Sequence, residues 1–158
     1  RYPDAEEFDA AGLQIVYLGW FLGDWSLVNN ALYSCASGLQ IRDDKPENTG
    51  DLYGVSSLDE DWVTLNQMIK YYKFGFGRAT DYVNEEIRLG RMSRQEGIAV
   101  VEHYDGCCGP HYIASFCEYI GISIEQFWQQ VHASLNRELF DLTADGTIRR
   151  RFRVGVGL

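Results

Sequence analysis

Apolar residues recur at three- and four-residue intervals through most of the chain beyond residue 60, the period of a helix with one face on a core. Trp62, Leu65, Ile69 and Tyr72 form one stripe, and Ile98, Val101 and Tyr104 a second. Ile113, Phe116, Cys117 and Ile120 form a third, and Ile124, Phe127, Trp128, Val131 and Leu135 a fourth. With the punctuation between them, these stripes predict helices near 25–37, 58–74, 79–89, 94–105, 110–120 and 124–137. "SLDE" (Ser57–Glu60), "SRQE" (Ser93–Glu96) and "SIEQ" (Ser123–Gln126) have the form of capping boxes. Gly109-Pro110 puts a proline at the first position of a helix, and Asp24 can cap the one over 25–37. Gly38, Gly90, Gly106 and Gly121 fall just past apolar runs, where a left-handed C-terminal residue is needed. Short connections imply that consecutive helices pack together.

One stretch breaks the helical period. "LQIVYLGWFL", Leu13 to Leu22, is continuously apolar and rich in β-branched and aromatic residues. It reads as a strand buried on both faces, most clearly over residues 13–20. No second strong strand follows, and only "TIRRRFRVGV" near the C-terminus offers a short edge. The partner strands are therefore expected upstream of Arg1. Pairing in a homodimer, or a helix in place of the strand, are the alternatives. The organisation expected is a late portion of an α/β nucleotide-binding domain over 1–55, a helical domain over 56–142 and a basic tail over 143–158.

Composition narrows the function classes. The 158 residues carry a net charge of −9, so a broad nucleic-acid-binding surface is not expected. Residues 1–61 hold 12 acidic and 3 basic side chains, whereas 62–158 hold 11 of each. Two local basic segments stand out, one over residues 70–94 and one at Arg149–Arg153. A small anionic ligand suits that placement. No apolar run approaches the roughly 18 residues of a membrane span, and no signal peptide is visible at the N-terminus. The four cysteines fall in or beside predicted helices, so reduced thiols and a cytoplasmic location are expected.

The candidate chemistry centres on "KFGFGRATD", Lys73 to Asp81. Gly75 ends one helix and Gly77 precedes the next, with Phe74 and Phe76 expected to anchor the turn in the core. Backbone N–H groups at such a helix start attract anions, and Lys73 and Arg78 add charge. Spacing alone favours a plain helix–helix turn with an Arg78–Asp81 surface pair. "EEIRLGRMSR", with Arg88 and Arg91, reads either as an anion clamp or as cations placed at a helix C-terminus. "HYDGCCGPHYIASFC" contains Cys and His but no C-x-x-C pair, and its adjacent cysteines suit a tetrahedral metal poorly. "FCEYIGISIEQFWQQV" has a helix-turn-helix rhythm, yet residues 124–136 hold no Arg or Lys to read DNA. No Ser-His-Asp set, P-loop or paired-carboxylate motif is present.

Several stretches together resemble the C-terminal part of the N-acetyl sugar amidotransferase family. They are "VYLGWFLGDW", "GVSSLDEDW", "MIKYYKFGFGRATDYVNEEIRLGRMSRQEGIAVVEHYDG", "YIGISIEQFW" and "VGVGL". The resemblance covers nearly the whole chain, and "KFGFGRATD" with the following "GRMSR" and "EG" is its most specific portion. It implies a mainly α chain: the helical C-terminal region of an α/β adenine nucleotide α-hydrolase-like enzyme, with one buried strand near residues 13–20. It also implies an ATP-dependent reaction in bacterial surface polysaccharide (LPS O-antigen) synthesis. The acetamido group of a nucleotide-linked N-acetyl sugar is adenylylated, and ammonia from a separate glutaminase displaces AMP to give acetamidino. ATP with magnesium would serve the full-length parent. The family's Ser-Gly-Gly-x-Asp-Ser loop and its paired N-terminal cysteines are absent here, so this chain by itself is expected to hold no cofactor and to adenylylate nothing. The resemblance strengthens the case for Lys73, Arg78 and Asp81, and the substrate- or phosphate-binding residues expected are Lys73, Gly75, Gly77, Arg78, Thr80, Asp81, Arg88 and Arg91. A stand-alone nucleotide-sugar-binding module and a glutaminase-docking module are the alternatives.

Overall fold

The computed structural model describes residues 4–156. Among them the fold is mainly helical, with eight α-helices followed by one hairpin. The helices are α1 (Ala5–Ala10), α2 (Leu27–Ala36), α3 (Pro46–Thr49), α4 (Val63–Phe74), α5 (Arg78–Arg88), α6 (Arg94–Tyr104), α7 (Pro110–Ile120) and α8 (Ile124–Ala133). The strands are β1 (Phe140–Leu142) and β2 (Ile148–Arg150).

Local chemistry explains most of the boundaries. Ser93 and Ser123 form the expected capping boxes with Glu96 and Gln126. Gly109 and Pro110 open α7 as expected. Gly38, Gly90, Gly106 and Gly121 all take positive φ. The "SLDE" box does not form. Ser57 sits at φ 49°, and α4 starts five residues later than expected, at Val63. Arg42 takes over the stretch in between: its guanidinium pairs with Asp61 and donates to the carbonyls of Ser57 and Glu60 at 3.0 and 2.8 Å. A side chain from outside the helix thus holds residues 57–61 in a loop. Ser26, not Asp24, caps α2, its hydroxyl accepting from the Asn29 N–H at 3.0 Å. The four-residue α3 escapes a reading based on periodicity because it is too short to show a period.

The strand expected near residues 13–20 is not formed. Residues 13–17 have no regular structure, and Leu18–Phe21 is a 3₁₀ turn. Leu13, Ile15, Val16, Tyr17 and Leu18 are each more than half exposed. A strand buried on both faces needs neighbours that pair its backbone and cover its side chains. Among the described residues the strands are β1 and β2, which pair with each other in antiparallel register, Asp141 opposite Arg149. The short edge anticipated in "TIRRRFRVGV" is therefore real, with Phe140–Leu142 as its partner.

The core lies between α4, α7 and α8. Leu65, Met68, Ile113, Cys117, Phe127 and Val131 form one buried cluster. Tyr71, Leu135 and Phe140 form a second, which fastens the hairpin to α4. The helix expected to run to 137 stops at Ala133, yet Leu135 stays buried. Asn136 then donates to the backbone carbonyls of Tyr72 and Lys73, both at 3.1 Å, and so docks the connection on the end of α4. Next to this core α5 and α6 pack as a pair, α2 against α5 and α3 against α6.

Candidate functional site

The turn between α4 and α5 is built by two glycines with different tasks. Gly75 ends α4 in the left-handed region at φ 80°, and a Cβ there would lie 3.2 Å from Leu139. Gly77 is extended, so any residue could adopt its backbone angles. A Cβ on Gly77 would instead lie 2.8 Å from a carboxylate oxygen of Asp105. Gly77 is small so that Asp105 can come close.

Asp105, almost fully buried, follows α6 and reaches back to the start of α5. Its carboxylate accepts from the Gly77 N–H at 2.8 Å, the Thr80 N–H at 3.2 Å and the Thr80 hydroxyl at 2.5 Å. A helix N-terminus attracts an anion because its N–H groups lack intrahelical partners. Here the chain supplies that anion itself.

The other residues singled out in this stretch separate. Asp81 lies 3.1 Å from the Lys70 ammonium and 3.8 Å from the Arg78 guanidinium, so one carboxylate serves two cations. Arg78 is largely buried and lines a small polar recess with Arg42, Asp51 and Gln67. Lys73 and Arg88 are exposed, and neither side chain makes an ion pair among the described residues. Arg91 is spent on structure. It forms a bidentate pair with Glu86 at 2.6 and 2.8 Å, and donates to Asn29 at 2.6 Å and Ser26 at 3.1 Å, which ties α5 to the first turn of α2. Phe74 and Phe76 do not anchor the turn in the core: they are 62% and 41% exposed. Leu139 and Phe152 fill the space beneath Gly75 instead. Phe76 carries the Lys70 ammonium 4.5 Å from its ring centroid, a cation–π contact.

A cleft of about 320 Å³ opens beside this turn, between α5, α6 and the residues after β2. Gly75, Phe76 and Thr80 contribute one wall; Val83, Ile98 and Val101 lie along the helices; Phe152 and Arg153 come from the tail. Close contacts shape it. A Cβ on Gly97 would lie 2.6 Å from Val83, and one on Gly155 would lie 2.6 Å from Ile98. Arg94 donates to the Gly155 carbonyl and holds the tail against α6. Gly75 and Thr80 are the residues of the sequence-derived site that line the cleft. Phe76, Arg94, Phe152 and Arg153 join them, and the basic character of the tail was the signal for Arg153. Nothing in the local pattern marked Asp105, because its partners lie 25 and 28 residues away.

The Cys- and His-containing stretch is structural. His111 sits 3.2 Å from Asp44, which also accepts from the Tyr112 hydroxyl at 2.9 Å. Burial opposes ionisation of Asp44, but hydrogen bonds from Asn48, Tyr112 and the Lys45 N–H outweigh it and hold the carboxyl below its ordinary range. Cys117 is in the core. Burial pushes the Cys107 thiol up, and the Cys108 thiol up to about 11, so neither is an activated nucleophile. Among the described residues no group of three His, Cys, Asp or Glu side chains could hold a metal ion, and no helix is long and apolar enough to cross a membrane.

A family model described as "LPS biosynthesis protein WbpG-like, C-terminal domain" matches residues 47–151. No curated protein matches the chain.

Proposed function

The chain belongs to the LPS biosynthesis protein WbpG-like, C-terminal domain family, and from that membership we propose that it is the substrate-holding part of an ATP-dependent amidotransferase of LPS synthesis. The substrate would be a nucleotide-linked N-acetyl sugar, and the product its acetamidino counterpart. In that reaction the acetamido oxygen attacks the α-phosphate of ATP and pyrophosphate leaves. Ammonia from a glutaminase then adds to the activated carbon, AMP departs with the oxygen, and a C–N bond stands in its place.

One observation carries this reading: the family-matched segment contains the "KFGFGRATD" turn and the α5 and α6 walls of the cleft that opens beside it, and the tail residues Phe152 to Gly155 that complete the cleft follow directly after that segment. The sequence has no Ser-Gly-Gly-x-Asp-Ser loop to grip ATP with magnesium, so adenylylation is assigned to a separate phosphate-loop domain. Within this chain the turn is a scaffold. Asp105 fixes Gly77 and Thr80, and Thr80 lines the cleft.

The test is a product assay by mass spectrometry with a nucleotide-linked N-acetyl sugar, ATP, magnesium and ammonia. The chain alone should give no acetamidino product, and co-expression with a polypeptide carrying the phosphate loop should give it. Product from the chain alone, or none from the pair, overturns the reading.

A docking role has its own support. Ile15, Val16, Tyr17, Leu18 and Phe21 form an exposed apolar surface within the acidic part of the chain. Co-purification of a glutaminase, lost when Tyr17 and Phe21 are changed to Ser, would favour that role.

A further inference from the structure

The cleft beside the turn has a composition that sets it apart from the rest of the surface. The chain holds 23 acidic residues, yet none lines the cleft, whereas two arginines do. Arg153 makes no side-chain hydrogen bond or ion pair among the described residues. Arg94 donates to the Gly155 carbonyl, and its guanidinium keeps further N–H donors. At the turn, by contrast, Lys70 and Arg78 already share Asp81, and the start of α5 already holds Asp105. A bound anion therefore finds unneutralised positive charge in the cleft and not at the helix N-terminus.

The remainder of the lining is apolar and aromatic, with Phe76 and Phe152 on the wall and Val83, Ile98 and Val101 along the helices. Asn84 and Thr80 add polar groups at the same surface. The Thr80 hydroxyl donates to Asp105, which leaves its oxygen free to accept. A volume near 320 Å³ lies at the lower end of the roughly 300–1,000 Å³ of small-molecule sites. A flat heteroaromatic group joined to a multiply charged anion matches all of these features. A free N-acetyl sugar carries no negative charge for the two arginines and no aromatic ring for the phenylalanines.

We propose that this cleft binds the nucleoside diphosphate portion of the substrate, with the base against Phe76 and Phe152 and the phosphates on Arg153 and Arg94. This rests on the reading of the chain as the nucleotide-sugar-holding part of an amidotransferase. Arginine suits the task because its planar fork meets phosphate oxygens in pairs.

Calorimetric titration of the 158-residue chain with uridine and guanosine diphosphates in turn, free N-acetylglucosamine and dodecyl phosphate tests the assignment. At least one nucleoside diphosphate should bind, and the free sugar should not. Arg153→Ala should weaken binding by about tenfold or more, as expected for loss of a charge-assisted contact. Arg153→Lys should restore part of it, and Phe76→Ala should weaken it as well. The Arg153 side chain has no partner to lose, so the melting temperature of Arg153→Ala should match that of the parent. Absence of binding by both nucleotides, equal binding by Arg153→Ala and Phe76→Ala, or preference for dodecyl phosphate overturns the proposal. Nucleotide binding at the cleft without acetamidino product in the co-expression assay sinks the amidotransferase reading alone. Product formation that is unaffected by Arg153→Ala and Phe76→Ala sinks the cleft assignment alone.

Discussion

A single carboxylate organises the centre of the site. Asp105 takes three hydrogen bonds from Gly77 and Thr80 while almost fully buried, so removing it strands donors away from water. Such groups cost about 1–3 kcal/mol each when unsatisfied, and Asp105→Ala should lower stability by at least that amount in urea denaturation. Asp105→Asn keeps one acceptor and should cost less. A loss no larger than that of an exposed substitution would mean that the turn does not depend on Asp105. Gly97 is the second decisive residue. Its missing Cβ lets α6 approach Val83 and Ile87 of α5, so Gly97→Ala should destabilise by about 1–3 kcal/mol through overpacking, even though alanine is the better helix former. Glycine in a helix interior, read locally, looks like a defect; only the partner helix makes it a requirement.

At the scale of elements, the caps divide into those that local sequence decides and those that the fold overrides. Ser123 caps α8 through the Gln126 N–H at 3.1 Å, with Gln126 answering the Ser123 N–H at 2.8 Å. Ser123→Ala should cost about 1 kcal/mol. Ser57 has an equally good motif but caps nothing, and Ser57→Ala should leave the cap energy of α4 untouched. Equal losses in thermal melts of the two variants would place the start of α4 back at Ser57. Arg42 decides the matter by binding the carbonyls of Ser57 and Glu60 from outside. Arg91 acts in the same way for α2 and α5. The basic stretch "EEIRLGRMSR" was legible, but not the target of its Arg91, because Glu86, Asn29 and Ser26 converge only in the folded chain.

The whole molecule should respond to alkali more than its composition suggests. Burial pushes the Cys108 thiol up to about 11 from 9.0, and the Tyr71 phenol up to about 12 from 10.0. Burial, helped by the nearby Asp51, raises the Tyr82 phenol in the same direction. In each case the folded state holds its proton more tightly than the unfolded state. The stability so contributed is complete below about pH 9 and is lost as pH rises through the folded values. Melting temperature should therefore fall steeply above about pH 9, and Cys108→Ser should flatten the first part of that fall. A melting temperature constant to pH 11 would contradict the burial of these groups. The apolar surface at Leu13–Phe21 belongs to this scale as well. Its composition is that of a buried element, yet the described fold offers nothing to cover it, which is why the expected strand is absent.

The sequence by itself determined the helical class, the boxes at Ser93 and Ser123, the proline start of α7, the left-handed glycines and the core place of Cys117. Those features depend on contacts within about four residues or on a repeating apolar face. The tertiary structure alone decided that Asp105 occupies the start of α5, that Phe74 and Phe76 face outward, that Arg91 is a fastener and that a cleft free of acidic residues lies beside the turn. Each of these joins side chains distant along the chain, and long-range charge and volume matching leaves no period to read.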